Sequence, residues 1–133
     1  MLLFMEGNIL LYRDLSFTLR GILYKTHEYL GRFRSEKQYG DAIEQGLKVK
    51  KIKYEREKIL SRSFIGEKSG RNRLDFLVED LIILEIKVVP FVDYKMYRQC
   101  ARYLVSSNKE LCLLVNFYPE NLFIKRILNP EKV

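Results

Sequence analysis

The feature that most constrains this chain is an apolar run from Leu74 to Val89, broken by Glu79-Asp80, that carries Asp75, Glu85 and Lys87 at fixed spacing. Apolar runs of this kind suit strands covered on both faces by helices. Side chains alternate along a strand with a period of two, so Glu85 and Lys87 share one face. Burying charged groups is costly unless they hold a partner, which marks the three residues as a candidate site. Whether Asp75 joins the other two depends on the turn. A two-residue loop of Glu79-Asp80 would set Asp75 opposite Leu84 and turn it away from Glu85. A shared site needs odd parity, so a three-residue connection through Glu79, Asp80 and Leu81, or a bulge nearby, is expected.

The rest of the chain supplies elements to cover such strands. Asp14 is placed to cap a helix whose Leu15, Leu19, Ile22, Thr26, Tyr29 and Leu30 recur at three and four, with Gly31 as its end. Ser35 and Gln38 fit a capping box for a second helix that carries Glu36, Tyr39 and Ile43 on one face and stops near Gly46. Alternation between Val49 and Leu60 predicts a basic strand. Residues 61–73 contain Gly66 and Gly70 and predict a turn, with room for a short extra strand. Asp93 caps a predicted helix to about Ser107, with Met96, Cys100 and Leu104 as its inner stripe and Gln99 above Tyr103 on a neighbouring face. Leu111–Phe117 and Leu122–Leu128 read as the last strands. The order is α-βββ-α-ββ: a single α/β domain over residues 1–133, with a central mixed β-sheet flanked by helices.

Charge is concentrated. Residues 48–73 hold ten Lys and Arg against three Glu, so this segment alone carries the net charge of +7, and acids and bases balance elsewhere. Lys48, Lys50, Lys51, Lys53, Arg71 and Arg73 are its candidate nucleic-acid contacts, since phosphate binding requires such a field. A solvated edge strand whose lysines oppose aggregation would show the same composition. The two cysteines, Cys100 and Cys112, fall on different elements, and His27 is the single histidine. Buried reduced thiols are expected, and a zinc site is hard to assemble. The apolar opening Met1–Met5 is interrupted by Glu6-Gly7-Asn8 and has no basic leader, and no stretch approaches the roughly 20 residues of a membrane span. A cytoplasmic protein without membrane association is the expectation.

Two carboxylates on adjacent strands suit a hard cation such as Mg2+ or Mn2+, which takes oxygen ligands and retains water. Lys87 is then placed to orient a water or to offset charge on a phosphoryl oxygen, and Glu36 to join from the second helix. Asp75, nine intervening residues, Glu85-x-Lys87, and a following helix with Gln99-x-x-x-Tyr103 resemble the PD-(D/E)XK nuclease superfamily. The Gln/Tyr pair is similar to its RecB-type branch. Closer still is the resemblance to the small GxxExxR family, through Thr26–Gly31, Glu36 with Tyr39, Arg73–Asp80, Leu84–Lys87, Gln99 with Tyr103, and Leu114–Phe117. Phe33 and Tyr39 stand where that pattern has its glycine and arginine, and Leu74 where the superfamily has proline.

The resemblance implies a restriction-endonuclease-like core with metal on Asp75 and Glu85. Lys87 and Glu36 would act as catalytic residues, and Gln99 and Tyr103 would contact the nucleic acid or order the site. His27 is expected to pack rather than to ligate. The implied activity is metal-dependent hydrolysis of phosphodiester bonds, with DNA as the substrate and a homodimer as one way to supply DNA geometry. The alternative is a non-catalytic nucleic-acid-binding module that keeps the fold.

Overall fold

A computed structural model describes residues 11–132. Helix α1 covers Arg13–Leu30, α2 covers Glu36–Val49 and α3 covers Tyr94–Ser107. The strands are β1 (Tyr54–Ile59), β2 (Arg73–Val78), β3 (Ile82–Lys87), β4 (Leu111–Asn116) and β5 (Phe123–Leu128). They form one sheet in the order β1-β2-β3-β4-β5. The β3–β4 pair is parallel and the other pairs are antiparallel, because the α3 crossover returns the chain beside β3 in the same direction. The expected mixed sheet is therefore present.

Both faces of the sheet are covered. On one, α1 and α2 bury Leu19, Leu23, Tyr39 and Ile43 against Phe76, Val78, Leu84 and Val115. On the other, α3 buries Cys100, Tyr103 and Leu104 against Leu74, Ile83 and Leu114. This explains why β3 and β4 are apolar at nearly every position, whereas the edge strand β1 alternates between half-buried and exposed. Both cysteines are free and buried, as expected. No helix among the described residues is long and apolar enough to cross a membrane; the Met1–Met5 segment lies outside them.

The element boundaries depart from the sequence pattern in instructive places. Tyr12, in a left-handed conformation, precedes α1, and Asp14 lies inside the first turn rather than at the cap. Leu11 and Tyr12 pack against the core, so burial sets the helix start. Tyr29, expected on the inner stripe, is exposed. Gly46 does not stop α2, which runs on to Val49. A Cβ at Gly46 would lie 2.7 Å from Ile22 Cγ2, so this glycine serves the close approach of α1 and α2. The basic strand consequently begins at Tyr54. Residues 61–72 contain no strand; Glu67 accepts hydrogen bonds from Ser63 N–H at 2.7 Å and from Asn72 Nδ2, closing the segment as turns.

The capping box is present as expected: Gln38 N–H donates to Ser35 Oγ at 3.2 Å and Ser35 N–H donates to Gln38 Oε1 at 2.9 Å. Ser35→Ala is expected to lower stability by about 1 kcal/mol in a denaturant titration, since it leaves an N-terminal amide without its partner.

Candidate functional site

The β2–β3 connection has the odd parity that a shared site requires. Glu79 and Asp80 take left-handed conformations, Leu81 N–H donates to Val78 O, and Val78 pairs with Ile82. The three-residue turn thus sets the register Phe76–Leu84, and one step further puts Asp75 opposite Glu85. Backbone pairing of the two strands ends at that step, and the two side chains fill the opening. Ile86 N–H donates to Asp75 Oδ2 at 2.7 Å, and Asp75 N–H lies 3.4 Å from Glu85 Oε1. Each carboxylate stands in for a missing rung of the ladder, so both are fixed by backbone rather than by long flexible partners.

Electrostatics at this point are unfavourable by construction. Glu85 is only 3% exposed. Burial, followed by the neighbouring Asp75 carboxylate, pushes the Glu85 carboxyl well above the usual range. Among the described residues neither Asp75 nor Glu85 has a basic side chain within ion-pairing distance. Tyr103 packs nearby, and burial and the charges of Glu85 and Asp75 raise its hydroxyl pKa.

Lys87 completes the strand end. Its Nζ donates to Gln99 Oε1 at 3.3 Å, so α3 holds the ammonium from one side. Glu36 approaches from α2: partial desolvation raises its carboxyl, Lys87 opposes that shift, and Asp75 adds to it. The structure therefore brings Asp75, Glu85, Lys87, Glu36, Gln99 and Tyr103 around one end of β2 and β3. His27 lies outside this group, with Nε2 3.1 Å from both Phe117 O and Pro119 O.

Residues that no local pattern revealed fix this geometry. Asn116, buried at the end of β4, accepts from Val89 N–H at 3.1 Å and donates to Val89 O at 2.8 Å, pinning the chain just after Lys87. Phe117 N–H donates to Lys87 O at 3.0 Å, while its ring stacks on Tyr39 at 4.1 Å. Tyr39 in turn donates through its hydroxyl to Gly31 O and so locks the bend that presents Glu36.

The basic segment divides between two ends of the sheet. Lys53 exchanges hydrogen bonds with Glu79, which puts Lys48, Lys50, Lys51 and Lys53 near the hairpin turn. That end lies about 13 Å along β2 from Asp75, at roughly 3.3 Å per residue. Arg71 and Arg73 are exposed at the opposite end, close to Asp75. Arg56 is bound to Asp41 at 2.7 Å and Glu44 at 3.1 Å, and Lys58 pairs with Glu55. A second set of cations was missed: Lys95, Arg98 and Arg102 line a groove of about 540 Å³ together with Lys87 and Gln99. Their spacing of three and four along α3 is the signal that could have found them.

The donor set fits a hard divalent cation. Two carboxylates held on adjacent strands, Glu85 buried and neither ion-paired with a base among the described residues, supply oxygen atoms of the kind such an ion takes. Among the described residues no three His, Cys, Asp or Glu side chains cluster as a metal cage.

Comparison with known proteins bears on the family and the fold. Residues 13–127 match the family described as the PD-(D/E)XK nuclease superfamily. Among curated proteins none matches. The crystal structure of an alkaline exonuclease, LHK-Exo, from Laribacter hongkongensis is similar in fold, with a TM-score of 0.50 at 13% identity over 67% of this chain. The match covers 53% of that protein, so the chain spans about half its length.

Proposed function

The chain belongs to the PD-(D/E)XK nuclease superfamily, and from that premise we propose that it is a metal-dependent nuclease that hydrolyses phosphodiester bonds of DNA. The observation that supports this reading best is the opening between β2 and β3, where Asp75 and Glu85 replace backbone pairing and meet with no ion-paired base among the described residues. Asp75 and Glu85 are the ligands for Mg2+ or Mn2+. When bound, that ion polarises a phosphoryl oxygen and makes water more acidic.

The chain's own groups do the rest. Lys87 Nζ, steadied by Gln99, holds the attacking water by hydrogen bonding and offsets charge on the phosphate oxygens. Water adds to phosphorus and releases a proton to solvent, the bond from phosphorus to the leaving oxygen breaks, and that oxygen takes up a proton from solvent. Glu36 supplies a further carboxylate on the α2 side, and Tyr103 walls the site beside Glu85. Arg71 and Arg73 are the phosphate contacts nearest the site, with Lys48, Lys50, Lys51 and Lys53 as outer contacts on a longer duplex.

Within the superfamily we place the chain with the GxxExxR group, on Glu36, the Leu84–Lys87 stretch and the Gln99-x-x-x-Tyr103 helix. We read residues 1–133 as a single domain acting in the cytoplasm, with a homodimer supplying part of the DNA geometry.

The test is incubation with end-labelled linear, nicked and branched DNA in Mg2+, Mn2+ or EDTA, beside Asp75→Ala. Cleavage is expected with either metal and is expected to disappear in EDTA and in the variant. DNA binding that persists in EDTA, with no cutting under any condition, would instead identify a binding module.

A further inference from the structure

We propose that the outer face of α3 is a track for single-stranded DNA leading into the site, so that the enzyme acts on unpaired strands or frayed ends. The inference rests on the nuclease reading for its substrate, and on different residues for its specificity. Two grooves meet along this face. The first, of about 540 Å³, starts at Lys87 and Gln99 and is lined by Lys95, Arg98 and Arg102. The second, of about 470 Å³, shares Arg98 and Arg102 and continues to Phe64. Together they form one path from Lys87 outward.

The charge on this path is available. Among the described residues Lys95, Arg98 and Arg102 take part in no ion pair, unlike Arg56 and Lys58 of the basic segment. The acid in the first groove, Asp93, is occupied in accepting from Met96 N–H as the cap of α3. Glu67 in the second groove accepts from Ser63 and Asn72, so the four cations Lys87, Lys95, Arg98 and Arg102 face two acids and a polyanion meets a net positive path.

Aromatic side chains decide which form of polyanion fits. Tyr94 is 74% exposed and Phe64 63%, and both stand beside the cations, Tyr94 under Arg98 and Phe64 in the second groove with Arg98 and Arg102. Arg98 lies over the Tyr94 ring at 5.8 Å, so cation and ring form one platform. The stripe from Tyr94 to Arg102 is about 12 Å long at 1.5 Å per residue. A duplex keeps its base faces stacked inside and leaves exposed aromatic rings unused. An unpaired strand offers bases to the rings and phosphates to the arginines, the combination that binds single strands without sequence preference.

The test is anisotropy titration of a fluorescein-labelled oligothymidine and of a blunt duplex, in EDTA so that no turnover intervenes. The proteins are wild type, Phe64→Ala/Tyr94→Ala and Arg98→Ala/Arg102→Ala, and their melting temperatures should match because all four positions are exposed. The aromatic variant is expected to weaken oligothymidine binding by about tenfold or more and duplex binding by less than about twofold. The arginine variant is expected to flatten the salt dependence of oligothymidine binding, by about 0.7 in the log–log slope per arginine. Equal losses on both probes, no loss on oligothymidine, or no oligothymidine binding by wild type would each overturn the proposal. Intact single-strand binding without metal-dependent cleavage would remove the nuclease reading alone. Cleavage with oligothymidine binding insensitive to the aromatic variant would remove this inference alone.

Discussion

Replacing Glu85 with glutamine is expected to stabilise the metal-free protein while abolishing cleavage. Glu85 is buried against Asp75, and both burial and that neighbour raise its carboxyl. A carboxyl whose folded-state pKa is raised binds its proton more tightly in the folded than in the unfolded chain. Its contribution to stability is therefore full below the unfolded value near 4.3 and is lost as pH rises through the folded value. At neutral pH the fold bears that loss, and glutamine, isosteric and uncharged, removes it. A gain of roughly 0.5–2 kcal/mol is expected in EDTA, a rise of a few degrees in melting temperature.

With Mg2+ or Mn2+ the comparison should reverse: the ion stabilises the wild type by binding only the folded state and leaves the variant nearly unmoved. Metal binding should also tighten with pH as Glu85 gives up its proton. Cleavage by the variant should fall at least about a thousandfold, several kcal/mol of barrier, because on the proposed function one of two ligand carboxylates is gone. Thermal scans across pH with and without metal, beside a cleavage assay, check all three. A variant less stable than wild type in EDTA at neutral pH would show that Glu85 is not held against an electrostatic cost.

Phe117→Ala is expected to cost about 3–5 kcal/mol, a large part of the 5–15 kcal/mol typical of a domain. Its ring is fully buried, stacks on Tyr39 at 4.1 Å and lies 5.9 Å from the His27 ring. It thus joins α1, α2 and the end of β4, and its backbone amide holds the carbonyl of Lys87. Truncation leaves a cavity at that junction, and a fall in melting temperature of roughly 10–20 °C should follow. Phe17→Ala is the control: at 78% exposure its loss should change stability by no more than about 0.5 kcal/mol. Equal effects of the two substitutions would show that the Phe117 junction does not hold the layers together.

Much of the fold was legible because local rules and burial agreed. The capping box at Ser35, the cap at Asp93 and the apolar strands are each written in a few adjacent residues, and each stands where the pattern puts it. The failures share one cause. Gly46 reads as a helix stop until Ile22 from another helix is seen against it. Asp14 reads as a cap until the packing of Leu11 and Tyr12 moves the helix start. The basic segment reads as one surface, yet the strand it contains carries its halves to opposite ends of the sheet and closes Arg56 in ion pairs.

The sequence by itself determined the alternation that puts Glu85 and Lys87 on one face, the parity a turn must have for Asp75 to join them, and the order of elements. These follow from periods of two and 3.6 residues, which are properties of the backbone. Only the tertiary structure decided that backbone pairing ends at Asp75, that Gln99 reaches Lys87, and that Asn116 and Phe117 brace the strand end. It also gathered Lys95, Arg98 and Arg102 beside the site. Contacts of this kind join residues distant in the chain, and their energies depend on packing that no local pattern records.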